Sequence, residues 1–143
     1  MAFTEPTSGG RVIKQGILPC RVTLARACKC GDILGVAEDN FDDLGPSDSH
    51  VNGHATGVTY VHRLVAGEDG EAAEVITAYP AAVVGGYTGG ALGTKLYCAE
   101  NGTDGAISET VGGDTGDNAT IIGLGLSAND ALLYPGFVVD VIA

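Results

Sequence analysis

The sequence predicts an all-β fold, a small Gly-rich β-barrel or β-sandwich with an extended N-terminal arm. Three observations predict it. The 143 residues include 23 glycines and 5 prolines. The longest stretch free of both is Cys20 to Cys30, eleven residues, and elsewhere such stretches reach nine at most. An average helix needs about 11–12 residues, and an interior Gly costs it about 1 kcal/mol relative to Ala. Strands of about five or six residues fit the gaps. Those gaps are rich in Val, Ile, Thr and Tyr and are bounded by turn residues, which is the composition of strands.

Taken in order, residues 1–18 read as an arm, and residues 19–143 as a single β domain. Strands are predicted at Arg11–Leu18, Arg21–Ala25, Ile33–Ala37, Val58–Val65, Glu74–Tyr79, Lys95–Cys98, Ala106–Thr110, Ala119–Leu126 and Phe137–Ile142. Glu68-Asp69-Gly70 and Asn101 to Gly105 read as hairpin turns, because Gly, Asn and Asp tolerate positive φ. Residues 38–57 are acidic, carry Asn, His, Gly and Pro, and read as one long loop, longer than the usual limit of about 12–15 residues. Val84 to Gly93 also lacks strand character, and its spaced glycines imply close backbone approach. Ser127 to Leu133 reads as a helical turn capped by Ser127. Gly31-Asp32 and Gly116-Asp117 each open an aliphatic run that ends at a glycine, 85 residues apart. Two copies do not make a solenoid, but they fit equivalent strands in two halves of a barrel.

A chain that is 45% hydrophobic and 17% charged can bury a core. With 5 Tyr, 3 Phe and no Trp, that core is thin in aromatics, and small domains of this kind often gain burial by oligomerising. No run approaches the roughly eighteen apolar residues of a membrane helix, so no membrane partner is expected. The first ten residues lack a basic head followed by an apolar run and are not expected to act as a secretion signal. A net charge of −11 repels phosphate backbones, so nucleic acid is not an expected partner. The charge is unevenly placed. Arg11, Lys14, Arg21, Arg26 and Lys29 are five of the seven cations, whereas Arg63 and Lys95 stand against seventeen acids from Asp32 onward. Either the basic segment pairs with its own body, or it reaches a neighbouring acidic subunit or lattice. On the second reading these five residues are the candidate interface. Removing residues 1–18 is then expected to abolish attachment and leave the domain folded.

No catalytic, cofactor-binding or metal-ligating residue is assigned. Cys20, Cys28, Cys30 and Cys98 leave three readings open: buried free thiols, one or two disulfides, or a soft-metal site. The spacing of Cys28 and Cys30 does not match the usual zinc pattern. His50, His54 and His62 read as solvated loop histidines in preference to a metal site, because Gly53 and the surrounding composition do not favour the helix on which the i,i+4 spacing would serve. Asp39 to Asp43 reads as a solvated acidic stretch without the spaced oxygens of an EF-hand. Gly85 to Lys95 runs into a strand and does not open a helix, so it is not a phosphate loop. A Gly-x-Ser-x-Gly elbow is absent.

Several segments together resemble the small capsid decoration, or cement, proteins of tailed bacterial and archaeal viruses. They are Val22-Thr-Leu-Ala-Arg26, Cys30-Gly-Asp-Ile-Leu-Gly-Val-Ala37 and the Gly-rich run from Ala81 to Tyr97. Gly105-Ala-Ile-Ser-Glu-Thr110, Ile121-Ile-Gly-Leu-Gly-Leu-Ser-Ala128 and Leu132-Leu-Tyr-Pro135 complete the set. The likeness spans roughly residues 20–135. It implies a non-enzymatic virion protein on the outer surface of the capsid, commonly a homotrimer, whose partners are the major capsid protein and itself. The acidic loop and the cysteines are not part of that pattern. A glycan-binding β-sandwich displayed on a particle or cell surface is the alternative. A small enzyme using Cys98 or a histidine is a further rival.

Overall fold

A computed structural model describes residues 3–5, 10–51, 59–100 and 103–143. Its strands are β1 Val12–Ile17, β2 Cys20–Thr23, β3 Ile33–Ala37, β4 Asn40–Pro46, β5 Tyr60–Ala66, β6 Val75–Tyr79, β7 Ala81–Gly85, β8 Lys95–Cys98, β9 Ile107–Ser108, β10 Ile121–Gly125 and β11 Ala131–Leu133. A 3-10 turn, Pro135–Phe137, follows. All strand pairs are antiparallel. They form a six-stranded sheet in the order β1-β7-β11-β10-β8-β9 and a five-stranded sheet in the order β2-β6-β5-β3-β4. The fold is therefore an all-β sandwich with open edges and not a closed barrel.

One corner links the two sheets. β1 and β2 are separated only by Leu18 and Pro19, and β6 and β7 only by Pro80. The pairs Gly16↔Ala82, Ile17↔Ala81 and Cys20↔Ala78 keep one register through the bend. Two long segments, 12–23 and 75–85, thus run antiparallel and fold together from one sheet into the other. Proline has no N–H to give a ladder and fits where the ladder is interrupted. Leu18, with φ 49°, takes the left-handed conformation at the bend.

The strands of the five-stranded sheet explain their own composition. β3 is buried along its whole length. Ile33 faces a core shared with the other sheet, alongside Val65, Val84, Leu96, Ile122 and Leu133. Its neighbour Leu34 points the other way, into a second cluster with Leu24, Cys28, Ile76 and Ala78. Successive strand residues face opposite sides, so a strand covered on both faces reads as an unbroken apolar run. The segment around Leu24 to Cys28 supplies the second cover. Aromatic packing is sparse, with Phe3 meeting Tyr87 edge-on at a centroid distance of 5.7 Å. Gly90 and Gly125 lie directly against the Phe3 ring, and a Cβ at either would collide with it.

A single turn recurs five times, at Lys29–Asp32, Glu71–Glu74, Ala91–Thr94, Thr103–Ala106 and Asp114–Asp117. In each, the fourth N–H donates to the first carbonyl. The third residue has positive φ: Gly31 87°, Ala73 72°, Gly93 83°, Gly105 86° and Gly116 96°, while the second does not. That is type II geometry. Four of these turns open β3, β6, β8 and β9, and the fifth precedes β10. In three, the fourth side chain (Asp32, Glu74 or Asp117) turns back to accept the first residue's N–H. The Gly-Asp echo is thus an echo of turns: β3 and β10 lie in different sheets of an open sandwich.

Several expectations need correction. The 38–57 stretch contains β4, the edge strand beside β3. Ala81 to Gly85 forms β7, in the interior of the six-stranded sheet. Ser127 caps a bend and no helix, its Oγ accepting from the N–H groups of Asn129 and Asp130, after which β11 pairs with both β10 and β7. Phe137 to Ile142 holds part of the 3-10 turn and one isolated bridge, Asn118↔Ile142, instead of a strand. The described part of residues 1–18 is packed on the body. Phe3 is in the core, Thr4 bridges to Thr88, and β1 is a sheet member. Removing 1–18 therefore takes away a strand and part of the core, so the remainder is not expected to stay intact. Residues 52–58, with His54, and Asn101-Gly102 lie outside the described residues.

Candidate functional site

The five N-terminal cations divide into two groups. Arg11 and Arg26 are committed inside the subunit, with side chains only 10% and 15% exposed. Arg11 pairs with Asp32 and, at 3.3 Å, with Glu5. Arg26 pairs with Asp43, donates to the carbonyl of Pro46 and lies 5.3 Å above the Tyr60 ring. Burial drives the carboxyls of Asp32 and Glu5 upward, and the Arg11 guanidinium opposes it. Lys14, Arg21 and Lys29 are each more than half exposed, with Asp130, Glu68 and Asp69 nearby at 2.9, 3.6 and 3.9 Å. Pairs this exposed contribute little stability, which leaves these cations accessible to a second molecule.

Lys14 and Arg21 lie on the segment 12–23, the outermost strand of both sheets. Val12, Ile17 and Leu18 on the same segment are exposed. Beside them a shallow depression of about 210 Å³ is lined by Gln15, Ile17, Ala81, Ala82, Val83 and Leu132. The segment thus offers a continuous backbone edge, apolar side chains and two cations on one border of the molecule.

The other candidates are less open. All four cysteines are free thiols, without a disulfide. Burial pushes the Cys28 thiol up to about 12, raises Cys30, and raises Cys98 well above its usual range. A cavity of about 430 Å³ lined by Arg26, Cys28, Lys29, Asp32 and Asp104 therefore presents a protonated thiol. His62 is not a solvated loop histidine: it is fully buried on β5, and its Nδ1 is hydrogen-bonded to Ser47 Oγ at 2.5 Å. Burial lowers its pKa to about 4. Ser47 is equally buried, so this Ser–His pair has no surface from which to meet a substrate. Asp43 is taken by Arg26 and Asn40 Oδ1 accepts from Asp42 N–H, so the 39–43 stretch is organised as a strand border. Tyr60 and Tyr87 are inside the core.

His50 was also expected in solvent. It is instead partly buried beside Glu100, Asp114 and Asp117, which are separated from it by up to 67 positions and share no local motif. Of the three acids, only Asp117 stands out in the sequence, as part of the Gly116-Asp117 turn. Compared with known protein families, curated proteins and solved structures, the chain matches none.

Proposed function

We propose that this chain is a structural virion protein, a capsid decoration subunit that binds the outer surface of a viral head and stabilises it by protein–protein contact. The observation that carries the reading is the bent segment 12–23, an exposed edge common to both sheets with Lys14, Arg21, Val12, Ile17 and Leu18 along it. Free edges of this kind accept added strands from other chains. The sequence resemblance to decoration proteins points in the same direction. The rest of the body carries the large acidic excess, so the basic edge of one copy is complementary to the acidic face of the next. A contact between two different faces closes into a ring when its rotation allows, which fits a homotrimer. On this reading the chain is not an enzyme; its raised thiols and sealed Ser–His pair support that. With Tyr60 and Tyr87 buried, the glycan-binding alternative would rest on the exposed Phe41 and Phe137 and on half-buried tyrosines.

The test is light scattering on the full chain, followed by its occupancy on heads built from the major capsid protein of the same genome. A mass of three times 14.4 kDa is expected, with high occupancy that Lys14→Glu plus Arg21→Glu removes while the melting temperature holds. A monomer at all concentrations that never attaches to heads would overturn the proposal.

A further inference from the structure

We propose that His50, Glu100, Asp114 and Asp117 bind one divalent metal ion, of the class that accepts one imidazole nitrogen with carboxylate oxygens, Zn²⁺ foremost. One ligand atom from each of the four lies within 4.8 Å of every other. His50 Nδ1 stands 3.3 Å from Glu100 Oε1, 3.3 Å from Asp117 Oδ1 and 4.0 Å from Asp114 Oδ2. Zinc takes four such nitrogen and oxygen ligands.

The charge arrangement calls for a cation. Three carboxylates converge here, and among the described residues no Lys or Arg forms an ion pair with any of them. Six of the seven cations pair with carboxylates elsewhere. Asp117 is fully buried, and a buried charge needs a partner.

Asp117 is also held as a ligand should be. Its Oδ1 accepts from Val51 N–H at 2.8 Å and its Oδ2 from Asp114 N–H at 3.0 Å, while each oxygen keeps a further lone pair. Groups that fix a ligand's orientation commonly accompany metal sites.

A second observation comes from Ser49. Its hydroxyl is fully buried and has no hydrogen-bond partner among the described residues. It lies near Asp117 Oδ2: a Cβ built on Gly112 would sit 3.3 Å from both. Ser49 is pinned there, its N–H donating to the Ala99 carbonyl and its own carbonyl accepting from Asn118 N–H. A buried, unanswered hydroxyl beside an anionic cluster is suited to a metal-bound water. The ion would join the segment after β4, the turn after β8 and the turn before β10, and so clamp the long acidic stretch to the six-stranded sheet.

The test uses the full chain stripped with a chelator, then titrated separately with Zn²⁺, Mn²⁺, Ca²⁺ and Co²⁺. One saturable equivalent of Zn²⁺ is expected. At a hundredfold excess over Kd it should raise the melting temperature by about 8 °C. Co²⁺ should give d–d bands without thiolate charge transfer, which separates this site from the cysteines. His50→Ala should weaken binding at least tenfold. Glu100→Gln should hold or raise the metal-free melting temperature, by removing a facing carboxylate, and lose the metal response. No saturable binding, binding with thiolate charge transfer, or an undiminished response in both variants would each overturn the site.

Discussion

Arg11 was expected at an intersubunit contact, and the structure gives a quantitative way to test where it acts. Its side chain is 10% exposed and that of Asp32 6% exposed. Replacing it with Met keeps much of the packed stem and deletes the charge, leaving Asp32 buried without its partner. The chain then either tolerates the bare carboxylate or protonates it. An ordinary Asp titrates at 3.8, so protonating it at pH 7 costs about 4 kcal/mol at about 1.36 kcal/mol per unit. That sets a ceiling close to the loss of about 3–5 kcal/mol expected when one member of a buried pair is removed. The ceiling falls with pH, to about 1.6 kcal/mol at pH 5. Arg11→Met should therefore be strongly destabilised at pH 7 and much less so at pH 5. Adding Asp32→Asn should restore most of the loss. Urea titrations of the four proteins at both pH values measure this directly. If Arg11→Met unfolded like the parent at pH 7 and lost only its association with other subunits, the assignment of Arg11 to the interior would be wrong.

Three further outcomes are expected. His62 is held neutral, with its folded value near 4 against 6.5 unfolded; its contribution is therefore complete above pH 6.5 and is lost as pH falls toward 4, a loss of about 3 kcal/mol. Urea stability measured across that range should slope accordingly, and His62→Gln should flatten the slope. Ala73 is an exposed residue at φ 72°, so Ala73→Gly should stabilise by about 1 kcal/mol, while Gly93→Ala, with φ 83° and open space around it, should destabilise by about as much; thermal melts of the pair check both signs. Native labelling with a thiol reagent near neutral pH should leave Cys98 untouched and Cys28 slow until denaturant is added, and a thiol that reacts rapidly in the folded protein would reopen the enzymatic rival.

Backbone punctuation made the fold class legible, because Gly and Pro act locally. It placed β1, β2, β3, β5, β6, β8, β9 and β10 to within a few residues. The missed strands were decided by non-local pairing. β11, Ala131–Leu133, consists of good helix formers, and only its position between β10 and β7 makes it extended. β7 is short and abuts Pro80, so nothing local separates it from the glycine-rich run that follows. β4 is acidic and mostly exposed at its start, so its polarity reads as a loop. The opposite error at Phe137 to Ile142 has the same origin: the apolar run meets residues 117–120 through single hydrogen bonds and the Asn118↔Ile142 bridge, and builds no ladder. The turns were visible only in part, since Ala73 occupies one glycine position and Thr94 and Ala106 lack the carboxylate that marks the others. The His50 cluster had no local signal because its members converge only after the sandwich forms.

Both proposals answer one electrostatic problem, a net charge of −11 in a chain whose best-buried cations, Arg11 and Arg26, are committed at home. The exposed Lys14 and Arg21 can neutralise a neighbour's acidic face, and a metal ion can neutralise the acids beside His50, with which no Lys or Arg pairs among the described residues. The two solutions differ in burial and so in their response to salt. Contacts between exposed charges weaken once separations exceed the Debye length, about 10 Å at 0.1 M and about 3 Å at 1 M. Asp117 and the hydroxyl of Ser49 are out of reach of that screening. Raising salt should therefore loosen assembly through the 12–23 edge more than it weakens Zn²⁺ binding, where only Asp114 is well exposed. Assembly that tightened with salt would instead mean that the apolar residues Val12, Ile17 and Leu18 dominate the contact and the cations only orient it.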